Sequence, residues 1–597
     1  MDKSKKDNLF FLLNSLWKEI KPKRRIRIIF LIFIIIFSSL SEIISLSSLI
    51  PFLGLLTKPE NLLDYKVMKY IPFGFNQLNT FNALIIFTLI LIFFAFLSSF
   101  LKIYTQWEIR NLSADLGSDF SEIVYKCFIY KPYESIIMID SSNIISTVTS
   151  DVNELINSII TPLFTFTASL FISSSIIFTL FYIDGFISLI IFILLLTIYL
   201  ISQKLTGKTL QKLGFKRVSL RTALVKNIQD SLGSIRDITL DNNQIFYKNV
   251  HNELDRPLRK VGAKMVILSL LPKSIIDPSG ISIIALSGLF FASNGNINIA
   301  LPYLGTLALG AQKIIPQVQM IYQSWASLKG SKTVLIKIVD LLDVKFPNSN
   351  IIKVKKPYVF KNSIKFKNVS FKYKSNLKET ISNLNLEIIK GERLGIVGKT
   401  GSGKSTLIDL LMGLLLPSSG SLYIDDVEIK NKYFSSLLTS WRLSIAHVPQ
   451  NIFLLNATIA ENIAIGVPIN KIDFNRLKNA AEQACISKFI ENTKKGYFSM
   501  TGERGVMLSG GQLQRIALAR AFYKKADVLI FDEATSALDI NTEKKIINSI
   551  KEISKDITMI FVAHRHSTLK YCDRIIEIEN GNIKKEGSLE NILKDNI

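Results

Sequence analysis

Residues 398–405 read Gly-Lys-Thr-Gly-Ser-Gly-Lys-Ser, and further along stand Leu508-Ser509-Gly510-Gly511-Gln512 and Val528-Leu529-Ile530-Phe531-Asp532-Glu533. Arg393 to Val397 reads as a short buried strand and Ser405 to Leu415 as an apolar helix, so the glycine turn lies where a strand feeds a helix. That setting fits a P-loop, whose glycines let backbone N–H groups close around phosphate oxygens while the helix N-terminus adds partial positive charge. Lys404 then reaches the β/γ-phosphates and Ser405 ligates Mg²⁺. Gly398, Gly401 and Gly403 permit close backbone approach, and Thr400, Ser402 and Thr406 complete the predicted cradle.

Four apolar residues, Val528 to Phe531, suit a parallel strand buried on both faces and deliver two carboxylates to its C-terminal edge. Asp532 is placed to hold Mg²⁺ through water and Glu533 to polarise an attacking water, because phosphoryl transfer needs positioning and charge neutralisation more than covalent help. In isolation such a pair also fits a solvated acidic turn at a strand end.

The combination resembles the ATP-binding cassette family from about Tyr358 to the C-terminus, with the family's elements in order. The resemblance implies that Tyr373 stacks on adenine, that Gln450 links the γ-phosphate and Mg²⁺ site to the transport domain, that Asp539 closes the D-loop begun at Ser536, and that His564 contacts the γ-phosphate. Thr501-Gly502-Glu503-Arg504-Gly505 resembles the X-loop of cassette exporters, which favours export over import. Leu513 and His566 depart from the family's usual residues without removing a catalytic group.

The resemblance also implies that each ATP lies between one chain's P-loop and the Ser509, Gly510, Gly511 and Gln512 of another. One P-loop and one signature per chain therefore describe a half-transporter that dimerises, most simply with itself, while a heterodimer stays open.

At 597 residues, 48% hydrophobic, with a mean hydropathy of +0.30, the chain calls for at least two domains. Apolar character concentrates before residue 330, in segments near 26–56, 81–104, 161–183, 184–203, 263–292 and 297–325. Crossing a bilayer needs about 20 helical residues, so six spans are expected. Pro272, Lys273, Asp277 and Pro278 interrupt the fifth, leaving a buried soluble helix as the alternative there.

The expected fold is a six-helix membrane domain over 1–330, a linker over 331–357 and an α/β P-loop NTPase domain over 358–597. Lys21, Lys23, Arg24, Arg25 and Arg27 precede the first span and place the N-terminus on the cytoplasmic side, and the abundance of Lys, Ile and Asn suggests a bacterial chain, hence an expected inner-membrane location. Six crossings return the C-terminal half to the side where ATP is. The first apolar segment is too long for a signal-peptide core.

A net charge of +24 raises nucleic acid as a partner, but the basic residues are scattered rather than gathered on a nucleic-acid motif, and anionic inner-leaflet lipids account for them; no nucleic-acid partner is expected. Cys127, Cys485 and Cys572 show neither paired nor metal spacing.

Charge inside lipid is costly, which singles out Glu42, Lys102, Lys273 and Lys313 as candidates for contacting cargo. Glu42 reads first as a structural group hydrogen-bonded to neighbouring Ser or backbone, and Lys102 and Lys313 as residues snorkelling to the headgroups, whereas Lys273 beside Pro272 suits an aqueous cavity. Residues 59–71 have helical apolar spacing, for an interfacial helix or a plain loop.

Across the membrane half the chain resembles bacterial lipid-linked oligosaccharide flippases, through Glu42 with Leu49-Ile50-Pro51-Phe52-Leu53, the external segment, and Ala308 to Pro316. That resemblance implies a lipid or lipid-linked glycan as cargo. Lys273 and Lys313 stand where that family carries arginines, while Ser98 and Met320 stand at other such places. An exporter of drugs, peptides or phospholipid, and an ATP-gated channel or membrane-anchored regulator, remain alternatives.

Overall fold

The computed structural model describes residues 8–49, 52–53, 80–183, 185–293, 297–342, 356–374, 378–429, 435–534, 542, 544–546, 548, 556–563 and 566–590. The chain divides into two compact units, one of Met1–Lys131 and Ile139–Lys345, the other of Pro132–Met138 and Phe346–Ile597.

The first unit is helical. α1 (Leu9–Glu19) begins where Asn8 accepts a hydrogen bond from the Phe10 amide at 3.0 Å. α2 (Pro22–Ser47) starts on a proline, which lacks the N–H that a first turn leaves unbonded. Arg25 ties the two by donating to the carbonyls of Trp17 and Lys18 at 3.0 and 2.9 Å. The first predicted span, 26–56, is therefore a helix that starts earlier and ends at Ser47; Phe52 and Leu53 are helical again, and residues 59–71 lie outside the described residues.

α3 (Thr80–Ile129) runs past the apolar segment into a long rod. The short α4 (Tyr133–Ile136) follows, then helical turns from Ser141 interrupted by π-helical stretches at Thr147–Asp151 and Ile156–Ile160. α5 (Thr161–Ile183), α6 (Gly185–Gly233), α7 (Gln244–Ser293) and α8 (Ile297–Gly330) complete the set. α2 packs on α3 and α5, α6 on α7, and α8 on α5.

Among the described residues four helical stretches are long and apolar enough to cross a membrane: Pro22–Ser47, Leu84–Ile129, Ser141–Tyr182 and Ser188–Gly233. The fifth and sixth expected spans are helices as well, and α7 continues through Pro257, Pro272 and Pro278 rather than breaking there.

Two expected boundaries shift. The linker predicted to start at 331 begins instead with a helix, α9 (Lys332–Leu342), which belongs to the membrane unit and buries Val334, Leu335, Ile338 and Val339 against it. Conversely, Pro132–Met138, expected in the membrane domain, groups with the cassette. Both departures arise because packing, rather than chain order, decides which unit a short helix joins.

The second unit holds an antiparallel sheet in the order β2-β1-β4-β5 and a six-stranded sheet in the order β10-β9-β3-β8-β7-β6. These strands are β1 (Ser363–Phe371), β2 (Ile381–Ile389), β3 (Arg393–Val397), β4 (Ser419–Ile424), β5 (Val427–Glu428), β6 (Ile445–Val448), β7 (Val528–Asp532), β8 (Thr558–Val562), β9 (Arg574–Glu579) and β10 (Asn582–Gly587). In the larger sheet β9, β3, β8, β7 and β6 are parallel and β10 caps the edge antiparallel.

The central strands are apolar on both faces for a visible reason. Val528, Ile530, Ile560 and Val562 pack into a core with β1, β2, β4 and α10 (Lys404–Leu411), whereas Leu529, Phe531, Met559 and Phe561 pack into a second core with α11 (Gly510–Lys524). A parallel strand sandwiched between two layers has no solvent face, so its sequence does not alternate.

Candidate functional site

Parallel strands end together, and the C-terminal edge of such a sheet is where ligands collect. β3 leads into Gly398, Gly401 and Gly403, whose φ values of 151°, 81° and 108° lie in the region that glycine adopts at no steric cost. A Cβ on Gly398 would strike the backbone of Ile578, but one on Gly401 would meet nothing within 4 Å, so the loop is tight on the protein side and open at Gly401. Gly403 caps α10, and Thr400 and Ser405 are exposed beside it. Ser402 is buried, and its Oγ has no hydrogen-bond partner among the described residues.

Lys404 curls back over the loop, donating to the carbonyls of Gly398 at 2.7 Å and Lys399 at 3.0 Å. Burial lowers its pKa from the ordinary value, against the opposing pull of Glu533 and Asp532. Asp532, at the end of β7, is raised by burial and then by neighbouring Glu533, with Lys404 holding it down. The three groups thus share one small, partly desolvated region.

Glu533 sits just beyond the strand at φ 50°, its amide donating to the Val562 carbonyl at 2.9 Å. Gln450, two residues past β6, donates from Nε2 to Glu533 Oε2 at 2.7 Å, leaving its Oε1 as the atom able to ligate. Tyr373 lies against the first turn of α10, with its hydroxyl 3.3 Å from Thr406 Oγ1 and its ring edge-on to Phe371 at 4.9 Å.

The signature segment opens α11. Ser509 accepts from the Gln512 amide at 3.3 Å and Gln512 Oε1 accepts from the Ser509 amide at 2.8 Å, a reciprocal capping box that leaves Ser509 and Gly510 exposed. Further along α11, Arg520 donates to the Asn462 carbonyl at 2.9 Å, and Asn462 in turn donates to Thr501 Oγ1 at 3.2 Å. One rigid helix therefore joins the signature end to both the segment after Gln450 and the Thr501–Gly505 loop. Asp539 and His564 lie outside the described residues.

A hydroxyl from Ser405, a carboxylate from Asp532 and an amide oxygen from Gln450 make a hard oxygen donor set, which fits Mg²⁺ held largely by water and phosphate. Among the described residues no group of three or more His, Cys, Asp and Glu side chains is placed to hold a metal ion.

In the membrane unit, Lys313 Nζ lies 3.1 Å from Glu42 Oε1 and donates to Ser45 Oγ at 3.4 Å, while Ser98 donates to Glu42 Oε2. Lys102 and Lys273 are exposed and make no ion pair with the described residues. Of the four cargo candidates the structure joins two. Ser98 completes that cluster, although its sequence signal was only a missing cation.

Sequence reading also passed over a buried cluster where the long helices run past their apolar segments. Asp151 and Glu154 bind Arg221 at 2.5 and 2.6 Å, Lys337 of α9 binds Asp151 at 2.7 Å, and Ser331 donates to Glu154 at 3.0 Å.

Residues 381–536 match the ABC transporter family and residues 26–304 the ABC transporter transmembrane region. The chain is 32% identical over 417 residues to the ATP-binding/permease protein YgaD of Bacillus subtilis, covering 68% of this chain and 69% of that one. It is 41% identical over 225 residues to the ATP-dependent lipid A-core flippase of Chromohalobacter salexigens, covering 38% of each. For several such relatives the matched stretch spans less than two thirds of their length. The structure of a bacterial Atm1-family ABC exporter with ATP bound superposes with a TM-score of 0.78 over 96% of both chains at 21% identity, a likeness of fold. With a helical membrane region, a nucleotide-binding cassette and this extent of shared sequence, the chain belongs to the ABC transporter family.

Proposed function

We propose that this chain is half of an ATP-driven exporter that moves an amphipathic cargo outward across the bacterial inner membrane, and that the cargo is a lipid-linked saccharide or a related lipid. The observation that carries the engine is the gathering of Lys404, Asp532, Glu533 and Gln450 at one sheet edge while a second, capped helix end stays exposed at Ser509.

ATP phosphates would be cradled by the Gly398–Thr406 turn and Lys404, with adenine against Tyr373. Mg²⁺ held by Ser405, Asp532 and Gln450 would neutralise phosphate charge. Glu533 would orient the attacking water, its carboxylate aimed by Gln450; His564 would contact the γ-phosphate. Ser509, Gly510, Gly511 and Gln512 of a second copy would close the site, and Asp539 would lie at the same junction. Because phosphoryl transfer rests on positioning and electrostatics, closure of two copies is what makes the site competent.

Relatives named for lipid A-core flipping and multidrug export share this engine, so cargo is read from the membrane unit. Glu42 and Lys313 support a cargo with a charged headgroup. A drug or peptide exporter is the second reading, favoured by Lys313 already having an internal partner.

The test uses proteoliposomes. Glu533→Gln retains ATP binding and stops both turnover and transport, and undiminished hydrolysis refutes the role of Glu533. Flipping of a polyprenyl-pyrophosphate glycan but not of phosphatidylcholine or a peptide identifies the cargo class.

A further inference from the structure

Arg27 marks the cytoplasmic end of α2 through its pairs with Glu108 and Asp115, and Glu42 lies about 22 Å further along that helix at 1.5 Å per residue. In a hydrocarbon layer of about 30 Å that lies past the midplane, about 8 Å short of the outer boundary and still inside the hydrocarbon. A charge so placed is expensive, and an ion pair is no better for packing than an apolar pair of equal volume. A functional reason is therefore indicated.

The pair's construction suggests which one. It joins helices from three parts of the chain: Glu42 from α2, Ser98 from α3 and Lys313 from α8. Glu42 spends one oxygen on Lys313 and the other on Ser98, so it keeps a hydrogen bond if the ammonium leaves. The Glu42 side chain is 11% exposed, but that of Lys313 is 33% exposed. The carboxylate is thus the sheltered partner and the ammonium the approachable one. The ammonium is held between the Glu42 carboxylate at 3.1 Å and the Ser45 hydroxyl, to which it donates at 3.4 Å.

We propose that Glu42 is a built-in counter-ion for Lys313, and that the anionic headgroup of the cargo competes with it for the ammonium, so that cargo binding loosens the tie between α2 and α8. Exchange of one anion for another avoids the cost of a bare buried cation, which simple rupture of the pair would incur. Because the headgroup gains Lys313 only when the pair opens, it binds the open arrangement better, which is the differential affinity a conformational shift requires.

This inference rests on the lipid-linked cargo reading. Its test measures ATPase stimulation of the full-length protein in phosphatidylcholine nanodiscs, with farnesyl pyrophosphate as the probe and uncharged farnesol as the control. If the pair is closed about nine-tenths of the time, freeing Lys313 improves apparent affinity roughly tenfold.

Glu42→Gln is expected to lower the half-stimulating farnesyl pyrophosphate concentration about five- to tenfold. Glu42→Asp, whose shorter side chain retreats from Lys313 with its charge intact, gives a smaller shift, and Lys313→Gln loses the response. Farnesol responses stay level throughout, which a general packing defect would not allow. An unshifted response in both Glu42 variants, or an equal shift with farnesol, overturns the counter-ion role while leaving the cargo class standing. Indifference of the unaltered protein to farnesyl pyrophosphate overturns the cargo class and the inference together. Size-exclusion profiles and ATP binding report whether each variant is folded.

Discussion

The cassette and the membrane unit assemble their charges in opposite ways. In the cassette, Asp532 and Glu533 end β7 and Lys404 opens the helix that follows β3, and the pairing of both strands with β8, Asp532 opposite Val562 for instance, sets their separation before any side chain moves. In the membrane unit, Glu42, Ser98 and Lys313 come from helices held together by side-chain packing alone, and Asp151, Arg221 and Lys337 do the same in the rods. A sheet edge gives a preformed site that persists through a cycle. Helix-borne clusters are free to exist in one arrangement and dissolve in another, as a transport pathway requires.

Substitutions can break this contrast, and the largest effect belongs to the preformed site. Lys404→Ala, which removes the charge meant for the β/γ-phosphates, should cut ATP turnover by about 10³-fold or more in a steady-state phosphate-release assay, with the melting temperature little changed. Loss of folding instead of turnover would mean the edge is not preformed.

Next comes the rod cluster, where Asp151 has no exposed side-chain surface and serves both Arg221 and Lys337. Asp151→Ala leaves two cations short of a partner and should cost about 3–5 kcal/mol, read as a fall in thermal stability. The exposed pair of Lys21 with Asp119 provides the control, and Lys21→Ala should leave melting unchanged.

Asp409 of α10 tests the cassette through pH. Burial, with help from Asp532, pushes its carboxyl from 3.8 up to about 6. The neutral form is thus favoured in the fold, so its stabilising contribution is complete below pH 3.8 and is lost as pH rises through about 6. Asp409→Asn should remove that loss and raise the melting temperature at pH 7.5 by about 2–4 °C, allowing for partial solvent screening, with a smaller gain at pH 5.

Ser509→Ala removes half of the capping box and should destabilise the start of α11 by about 1 kcal/mol, seen as faster amide exchange over its first turn. The smallest effect sharpens the other side of the contrast. Lys102→Met and Lys273→Met, which break no ion pair among the described residues, should leave stability within about 0.5 kcal/mol.

Much of the cassette was legible because its chemistry is written in contiguous residues. The strand predicted at Arg393–Val397 is there with those bounds, and the one predicted at Val528–Phe531 extends a single residue to Asp532. The helix after the P-loop was expected to reach Leu415 and stops at Leu411, since Gly413 turns left-handed at φ 65° and the amides of Gly413 and Leu414 return to the carbonyls of Leu410 and Asp409 at 2.9 Å each. Gln450 and Glu533 were each picked out by motif, but their 2.7 Å contact depends on β6 lying beside β7, which no motif states.

The membrane half was legible as lengths of apolar helix and little more. Hydropathy located its long helices, and the basic run at the start of α2 suggested a direction, but neither could say that α9 would turn back onto the rods or that Pro132–Met138 would join the second unit.

From its residues alone this chain determined the P-loop, the two carboxylates, the signature and the apolar stretches, since each depends on local backbone geometry or on transfer from water to lipid over neighbouring positions. Tertiary structure alone decided that Lys313 faces Glu42, that Ser98 joins them, and that Asp151 holds two cations at once. Those pairings span up to 271 positions of chain, between residues 42 and 313, and charges so distant in sequence become neighbours only through the packing of whole helices.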